Sequence, residues 1–112
     1  GLDREDPRVK AAVSWIRKYY DVKSNPGMGP AGLYYYYNTF SKSLESLDEP
    51  IFEDADGMKH DWRRELTDEL IRRQKPNGSW VNDESSRWME SDPNLATAFS
   101  LLALSYCRPE SE

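Results

Sequence analysis

Residues 69–106 carry the clearest structural pattern of the chain. It begins with Glu69-Leu-Ile-Arg-Arg-Gln-Lys-Pro-Asn-Gly-Ser-Trp80, continues through a polar loop, and ends with Asp92-Pro-Asn-Leu-Ala-Thr-Ala-Phe-Ser-Leu-Leu-Ala-Leu-Ser-Tyr106. The first part has the charges of a helix that faces solvent, and its Pro-Asn-Gly run predicts a turn. The last part is apolar on almost every side, and a helix of that kind is normally buried all round. We therefore expect an outer helix that shields an inner one.

The composition is typical of one small globular domain. A chain of 112 residues is long enough for a single hydrophobic core. Hydrophobic residues make up only 38% and charged residues 31%. However, four Trp, seven Tyr and three Phe supply side chains that bury large areas, which argues against disorder.

Charge and hydropathy disfavour several classes of partner. The formal net charge is -5, with acidic and basic residues interleaved, so the basic face that nucleic-acid binding requires is not evident. No apolar run has the length of a membrane span, and no segment resembles a signal peptide. The single cysteine, Cys107, excludes an intrachain disulfide and leaves the cellular compartment unknown.

The first half of the chain predicts two helices. Asp6-Pro7 is a strong helix start, because Asp caps the first turn and Pro suits its first position. Apolar residues then recur at helical spacing until about Asp21. A loop rich in Pro and Gly follows, and a second helix is expected from about Ala31 to Leu47.

Residues 34–37 are four consecutive tyrosines, which allow two interpretations. The rings could pack between helices, with each hydroxyl finding a polar partner. Alternatively, aromatic faces could line a ligand cavity. For such a cavity the candidate side chains are Tyr34, Tyr37, Phe99 and Tyr106.

Residues 51–60 predict a short β-hairpin that turns at the Asp-Ala-Asp-Gly run of residues 54–57. The acidic side chains of this turn suggest calcium ligands, but the further oxygen ligands of a calcium-binding loop are missing. We therefore predict no metal site and no cofactor. His60 lies beside Asp61 without a nearby nucleophile, so we interpret it as a surface hydrogen-bonding residue. No catalytic residue is identified.

The second half of the chain predicts two more helices. The third is expected over residues 62–73 with a narrow apolar stripe, and the fourth over residues 94–107. The loop between them carries Trp80 and Trp88. Two large indoles in a polar loop indicate that it is pinned to the body of the protein.

The run from Leu70 to Trp80 resembles the Gln-Trp repeat of the prenyltransferase and squalene cyclase superfamily. In that repeat an apolar helix end leads into Gln, Gly and Trp, which here are Gln74, Gly78 and Trp80. Residues 94–104 are similar to the inner helix that follows the motif. The resemblance implies that these three residues are structural: Gln74 would bond the free carbonyls at the helix end, and Trp80 would stack over its amide.

The resemblance implies an α/α toroid, a ring of inner helices within a ring of outer ones. The predicted fold class is thus all-α, with two antiparallel helical hairpins that form part of a toroid and a short β-hairpin near residues 51–60. The chain would be a single domain, or a fragment of a toroid, with one repeat over residues 6–48 and a second over residues 61–107.

The resemblance also implies a function: a toroid segment that lines a cavity for an isoprenoid or another apolar small molecule. The catalytic signatures of terpenoid cyclases and prenyltransferases are not matched, since the acidic run of residues 54–56 is followed by Gly57, and Cys107 and His60 occur singly. Whether the protein is an enzyme of this type stays open. The alternative is a non-catalytic module for binding or protein interaction that keeps the repeat.

The fourth helix also predicts a partner. Three other helices with narrow apolar stripes cannot cover a helix that is apolar all round, and large exposed apolar patches mark interfaces. We therefore expect self-association through this helix, or that the chain is part of a longer protein.

Overall fold

The computed structural model describes residues 3–86 and 89–108. The elements in chain order are helix α1 (Pro7–Lys18), helix α2 (Leu33–Leu47), strand β1 (Phe52–Glu53), strand β2 (Lys59–His60), helix α3 (Trp62–Arg73) and helix α4 (Pro93–Tyr106). The predicted contribution of Trp88 to the long loop falls outside the described residues.

Three helices begin where the sequence predicted, each at an aspartate. The carboxylates of Asp6, Asp61 and Asp92 accept hydrogen bonds from backbone N–H groups two or three residues later, at 2.8, 3.3 and 2.9 Å. Proline follows two of them at the first helical position. These bonds satisfy N–H groups that would otherwise lack partners, so the predicted starts are confirmed.

Helix α2 begins two residues later than predicted, at Leu33. The residue before it, Gly32, has a φ of 66°, a left-handed conformation that glycine adopts without strain. Gly32 has no side chain to cap the helix, so the first N–H groups of α2 must find partners elsewhere.

The predicted β-hairpin is present as β1 and β2, which pair antiparallel with Phe52 opposite His60. Its turn is closed by the Asp54 carboxylate, which accepts hydrogen bonds from the backbone N–H groups of Asp56 at 2.9 Å and Met58 at 3.0 Å. Such Asx bonding stabilises the acidic turn without a cation.

The hydrophobic core lies around α2. An apolar stripe on α2 is buried, and Trp62, Leu66 and Leu70 of α3 pack with it in the same cluster. The stripe consists of Leu33, Tyr37, Phe40, Leu44 and Leu47, which recur at helical spacing. From α1 only Val13 is fully buried, while Val9 and Ile16 are partly covered. Helix α1 is therefore a peripheral element of the core.

The predicted fold class is wrong. In the described chain, four helices and the two-stranded sheet form one compact body, with a Cα radius of gyration of 14.2 Å against roughly 13 Å expected for a compact chain of this length. The closest helix packing joins α2 and α4, whereas the helices of each predicted hairpin, α1 with α2 and α3 with α4, contact each other at most locally. The two sequential helical hairpins of a toroid segment are not formed.

Side-chain size explains this packing. Helix α4 meets the core through Ala96, Ser100 and Ala103, all completely buried, and small side chains let two helix backbones approach closely. The expectation that α4 is buried all round is also wrong, because Leu101 and Leu102 are 57% and 48% exposed.

Candidate functional site

Helix α4 has two apolar faces of different character. The inner seam, made of Ala96, Ser100, Ala103 and Cys107, is buried against the rest of the protein. The outer seam consists of Leu95, Phe99, Leu102 and Tyr106, which are half-buried or exposed. Both seams repeat at spacings of four, three and four residues, which places each on one side of a helix. The outer seam thus carries the larger side chains, of which Leu102 is exposed and Phe99 packs partly against the core.

The outer seam borders a surface cleft of about 620 Å³ between α2, α4 and the loop before α2. We call it the aromatic cleft. Its lining residues are Asn25, Met28, Tyr35, Tyr36, Thr39, Leu95 and Phe99.

The walls of the aromatic cleft are mostly apolar, and the polar groups of Asn25, Tyr36 and Thr39 already have partners. The rings of Tyr35 and Phe99 meet edge to face, with centroids 5.5 Å apart. The Thr39 hydroxyl donates to the Tyr35 carbonyl at 3.1 Å, and the Asn25 amide donates to the Ala31 carbonyl at 2.9 Å. The cleft therefore offers a ligand apolar surface and no charged group.

The four predicted cavity residues do not line one cleft together. Tyr34 and Tyr37 are buried in the core, where their rings meet edge to face at 5.8 Å and the Tyr37 hydroxyl donates to the Val22 carbonyl at 2.7 Å. Burial raises the pKa of Tyr37. Phe99 lines the aromatic cleft, and Tyr106 is half-buried at the far end of the outer seam.

Tyr35 is held in the cleft by a residue that sequence reasoning missed. Glu90 is completely buried, and its carboxylate accepts hydrogen bonds from the backbone N–H groups of Tyr34 at 3.0 Å and Tyr35 at 2.7 Å. The Asn82 amide donates to the same carboxylate at 3.2 Å and to the Pro30 carbonyl at 2.7 Å. Glu90 thus supplies the N-terminal cap that Gly32 cannot, and its charge suits a helix N-terminus.

Hydrogen bonds hold the Gln-Trp motif together, but they are not the ones that the resemblance implies. The Trp80 indole, not Gln74, reaches the helix end: its N–H donates to the Leu70 carbonyl at 2.8 Å. The Gln74 amide instead donates to the Gly78 carbonyl at 2.8 Å, across a turn in which Gly78 has a φ of 93°. The motif closes α3, with Trp80 in the buried position and Gln74 exposed.

His60 pairs with two acidic residues, neither of which is its neighbour Asp61. Its Nε2 lies 2.8 Å from Asp54 Oδ2, and its Nδ1 lies 2.9 Å from Glu65 Oε2. The Tyr20 hydroxyl donates to Glu65 at 2.7 Å, and the Tyr20 ring stacks on the imidazole with centroids 3.9 Å apart. This histidine clamp joins the end of α1, the hairpin and α3.

The electrostatics of the histidine clamp favour an imidazolium. Burial lowers the pKa of His60, but hydrogen bonds to Asp54 and Glu65 outweigh burial, so the pKa lies above the ordinary value of 6.5. The hydrogen bond to His60 lowers the pKa of Asp54. Burial and the bond to Glu65 raise the pKa of Tyr20. The arrangement is that of an ion-pair network with a structural role.

In residues 3–86 and 89–108, no group of three or more His, Cys, Asp or Glu side chains is arranged to hold a metal ion. None of the helices described is long and apolar enough to cross a membrane.

No family model, curated protein or solved structure matches the chain. The resemblance of residues 70–80 to the Gln-Trp repeat therefore stays a prediction.

Proposed function

We propose that the chain is a non-catalytic protein-interaction module that pairs with a second copy of itself through the outer seam of α4. One observation carries the proposal: α4 packs its small side chains into the core and leaves large apolar ones in solvent. Exposed Leu102, in the outer seam, costs solvation free energy in a monomer, and covering it with a partner removes that cost.

The spacing of the outer seam supports a helical partner. Leu95, Phe99, Leu102 and Tyr106 alternate steps of four and three residues, which is the repeat by which helices pack side by side in coiled coils.

The charge pattern supports a second copy as that partner. Helix α4 contains no Asp, Glu, Lys or Arg. Two copies can therefore approach along α4 without placing like charges together, although each chain carries a net charge of -5. A twofold symmetric contact is also the commonest way in which identical chains associate.

Light scattering coupled to size exclusion, over a micromolar concentration series, tests the pairing. The expected result is a dimer whose fraction rises with concentration. Leu102→Glu should remain monomeric at every concentration. At high dilution its melting temperature should equal that of the parent chain, because this exposed residue stabilises only the contact between the two copies. The matched control is Ile71→Glu on α3, where Ile71 is exposed to a similar degree; this variant should still pair. A chain that is monomeric at every concentration overturns the proposal.

A second candidate function rests on the aromatic cleft, whose apolar walls suit an apolar small molecule such as an isoprenoid alcohol. Titration of the protein with farnesol, followed by calorimetry, tests this function. Tyr35→Ala should abolish binding because it removes half of the Tyr35–Phe99 pair. Tyr19→Ala, which changes an exposed tyrosine directly after α1, should leave binding intact. Equal affinity in both variants contradicts a ligand role for the cleft.

A further inference from the structure

A second and larger cleft, of about 890 Å³, lies on another part of the surface. It is bordered by the loop after α2, the first turns of α3 and the end of α4. Pro50, Ile51, Leu104 and Cys107 give it an apolar wall. Burial raises the pKa of the Cys107 thiol to about 11, so this wall is uncharged at neutral pH.

Arg63 lines this cleft and forms no ion pair with another described residue. Its Nε atom is buried and has no hydrogen-bond partner among the described residues. The guanidinium carbon lies 4.6 Å from the ring centroid of buried Trp62, so stacking orients the group. Buried donors almost always have partners, and this one is an exception.

The acidic residues of the cleft are engaged elsewhere or face solvent. Asp61 accepts the backbone N–H of Arg64 at 3.3 Å, and Asp68 lies 3.8 Å from the Arg64 guanidinium. Asp48 is exposed at the start of the loop. These carboxylates leave Arg63 unpaired. Since Arg64 and Arg108 also line the cleft, its acidic and basic side chains balance, and this favours an anion with a single negative charge over a highly charged one.

We propose that this cleft binds a small monocarboxylate with an apolar body. The planar guanidinium of Arg63 presents its donors in the geometry that a carboxylate accepts. Because Nε is buried, the carboxylate would accept hydrogen bonds from the Nη atoms of the guanidinium, and the apolar body would lie against Ile51 and Leu104. The site does not involve the outer seam, so it stands independently of the pairing through α4.

Calorimetric titration with octanoate tests the site, with octanol as the probe that has the same chain without the charge. Octanoate should bind and octanol should not. Arg63→Gln should weaken octanoate binding by about tenfold or more, since hydrogen bonds to charged groups contribute roughly that factor. Arg63→Lys should weaken it less, because the charge is kept and the planar donor geometry is lost. The matched control, Arg17→Gln, changes an exposed arginine of α1 that does not line the cleft and should bind as the parent does.

The location of binding is checked separately by NMR, where octanoate should shift the methyl signals of Ile51 and Leu104. If Arg63→Gln fails to fold, Ile51→Asp replaces it as the test, because this exposed position tolerates the change and the new carboxylate would repel the ligand. Octanoate binding that survives Arg63→Gln or Ile51→Asp overturns the proposal. So does the absence of octanoate binding at millimolar concentration, or equal binding of octanol.

Discussion

The indole N–H of Trp80 donates a hydrogen bond to the carbonyl oxygen of Leu70 at 2.8 Å, and this bond closes the last turn of α3. The backbone N–H of Trp80 is in turn bonded to the Thr97 hydroxyl at 2.9 Å. One residue therefore joins the end of α3 to the first turns of α4. The position of α4 over α2 depends on these two hydrogen bonds of Trp80.

Replacing Trp80 should therefore strongly lower the stability of the folded protein. We expect Trp80→Ala to lower the free energy of unfolding by about 3 to 5 kcal/mol, the range for deleting a large buried aromatic side chain. Trp80→Phe keeps most of the ring and should lose about 1 to 3 kcal/mol, because the Leu70 carbonyl is left without its donor. Urea denaturation measures both.

Gln74→Ala serves as the control inside the same motif. Its hydrogen bond to Gly78 lies at the surface, where a neutral bond contributes about 1 kcal/mol or less. If Trp80→Ala shifts the urea midpoint no more than Gln74→Ala does, the capping role of Trp80 is wrong.

Glu90 should be the most sensitive acidic residue of the long loop. Glu90→Ala removes the acceptor of two backbone N–H groups at the start of α2, and we expect a loss of about 2 to 3 kcal/mol. Amide hydrogen exchange should show faster exchange at Tyr34 and Tyr35. Glu84 is an exposed residue of the same loop, and Glu84→Ala should change neither quantity. Unchanged exchange in Glu90→Ala would show that α2 does not need this cap.

The histidine clamp predicts a stability that falls as pH rises. The pKa of folded His60 is raised above 6.5, so its contribution is complete below pH 6.5 and is lost as pH rises through the folded pKa. The lowered pKa of Asp54 acts in the opposite direction, since its contribution holds above pH 3.8 and is lost below it. The clamp is therefore strongest between these limits.

Melting temperatures from about pH 6 to about pH 9 measure this effect, since that range brackets the titration of a histidine whose pKa is raised. The parent chain should lose stability relative to His60→Gln across that range. His60 is the single histidine of the chain, so NMR can follow its titration directly. A pKa below 6.5 in that titration would contradict the clamp.

Helix starts and the hairpin could be predicted from the sequence because their causes are local. An aspartate caps N–H groups two or three residues away, and the turn of residues 54–57 is closed within itself. The cap of α2 could not be predicted, because Glu90 lies 56 residues from Tyr34 in sequence. The sequence offers one local indication that the cap is distant: Gly32, which precedes the helix, has no side chain that could cap it.

The pairing of α2 with α4 was missed because polarity does not distinguish the faces of an apolar helix. Side-chain size does distinguish them, since Ala96, Ser100 and Ala103 fall on one side and Leu95 and Leu102 on another. Helical spacing also explains why the tyrosines predicted to line a cavity do not line one. Tyr37 belongs to the apolar stripe of α2 and is core, whereas Tyr35 lies off that stripe and reaches the surface.

The packing of the inner seam can be tested within α4 itself. Ala103 is completely buried and Ala98 is exposed, so the same substitution at the two sites should have different effects. Ala103→Leu forces extra volume between α4 and the core, and we expect a loss of about 1 to 3 kcal/mol in the free energy of unfolding. Ala98→Leu adds the same atoms to a solvent-facing side and should change stability by less than about 0.5 kcal/mol.

Urea denaturation at a concentration low enough to keep the chain monomeric makes this comparison independent of any pairing through the outer seam. A helix buried on all sides, as the toroid expectation required, would be destabilised by leucine at both positions. Equal losses in Ala98→Leu and Ala103→Leu would therefore contradict the inner and outer seams described for α4. A loss confined to Ala103→Leu is the expected result, because only that side chain lies in the tight contact.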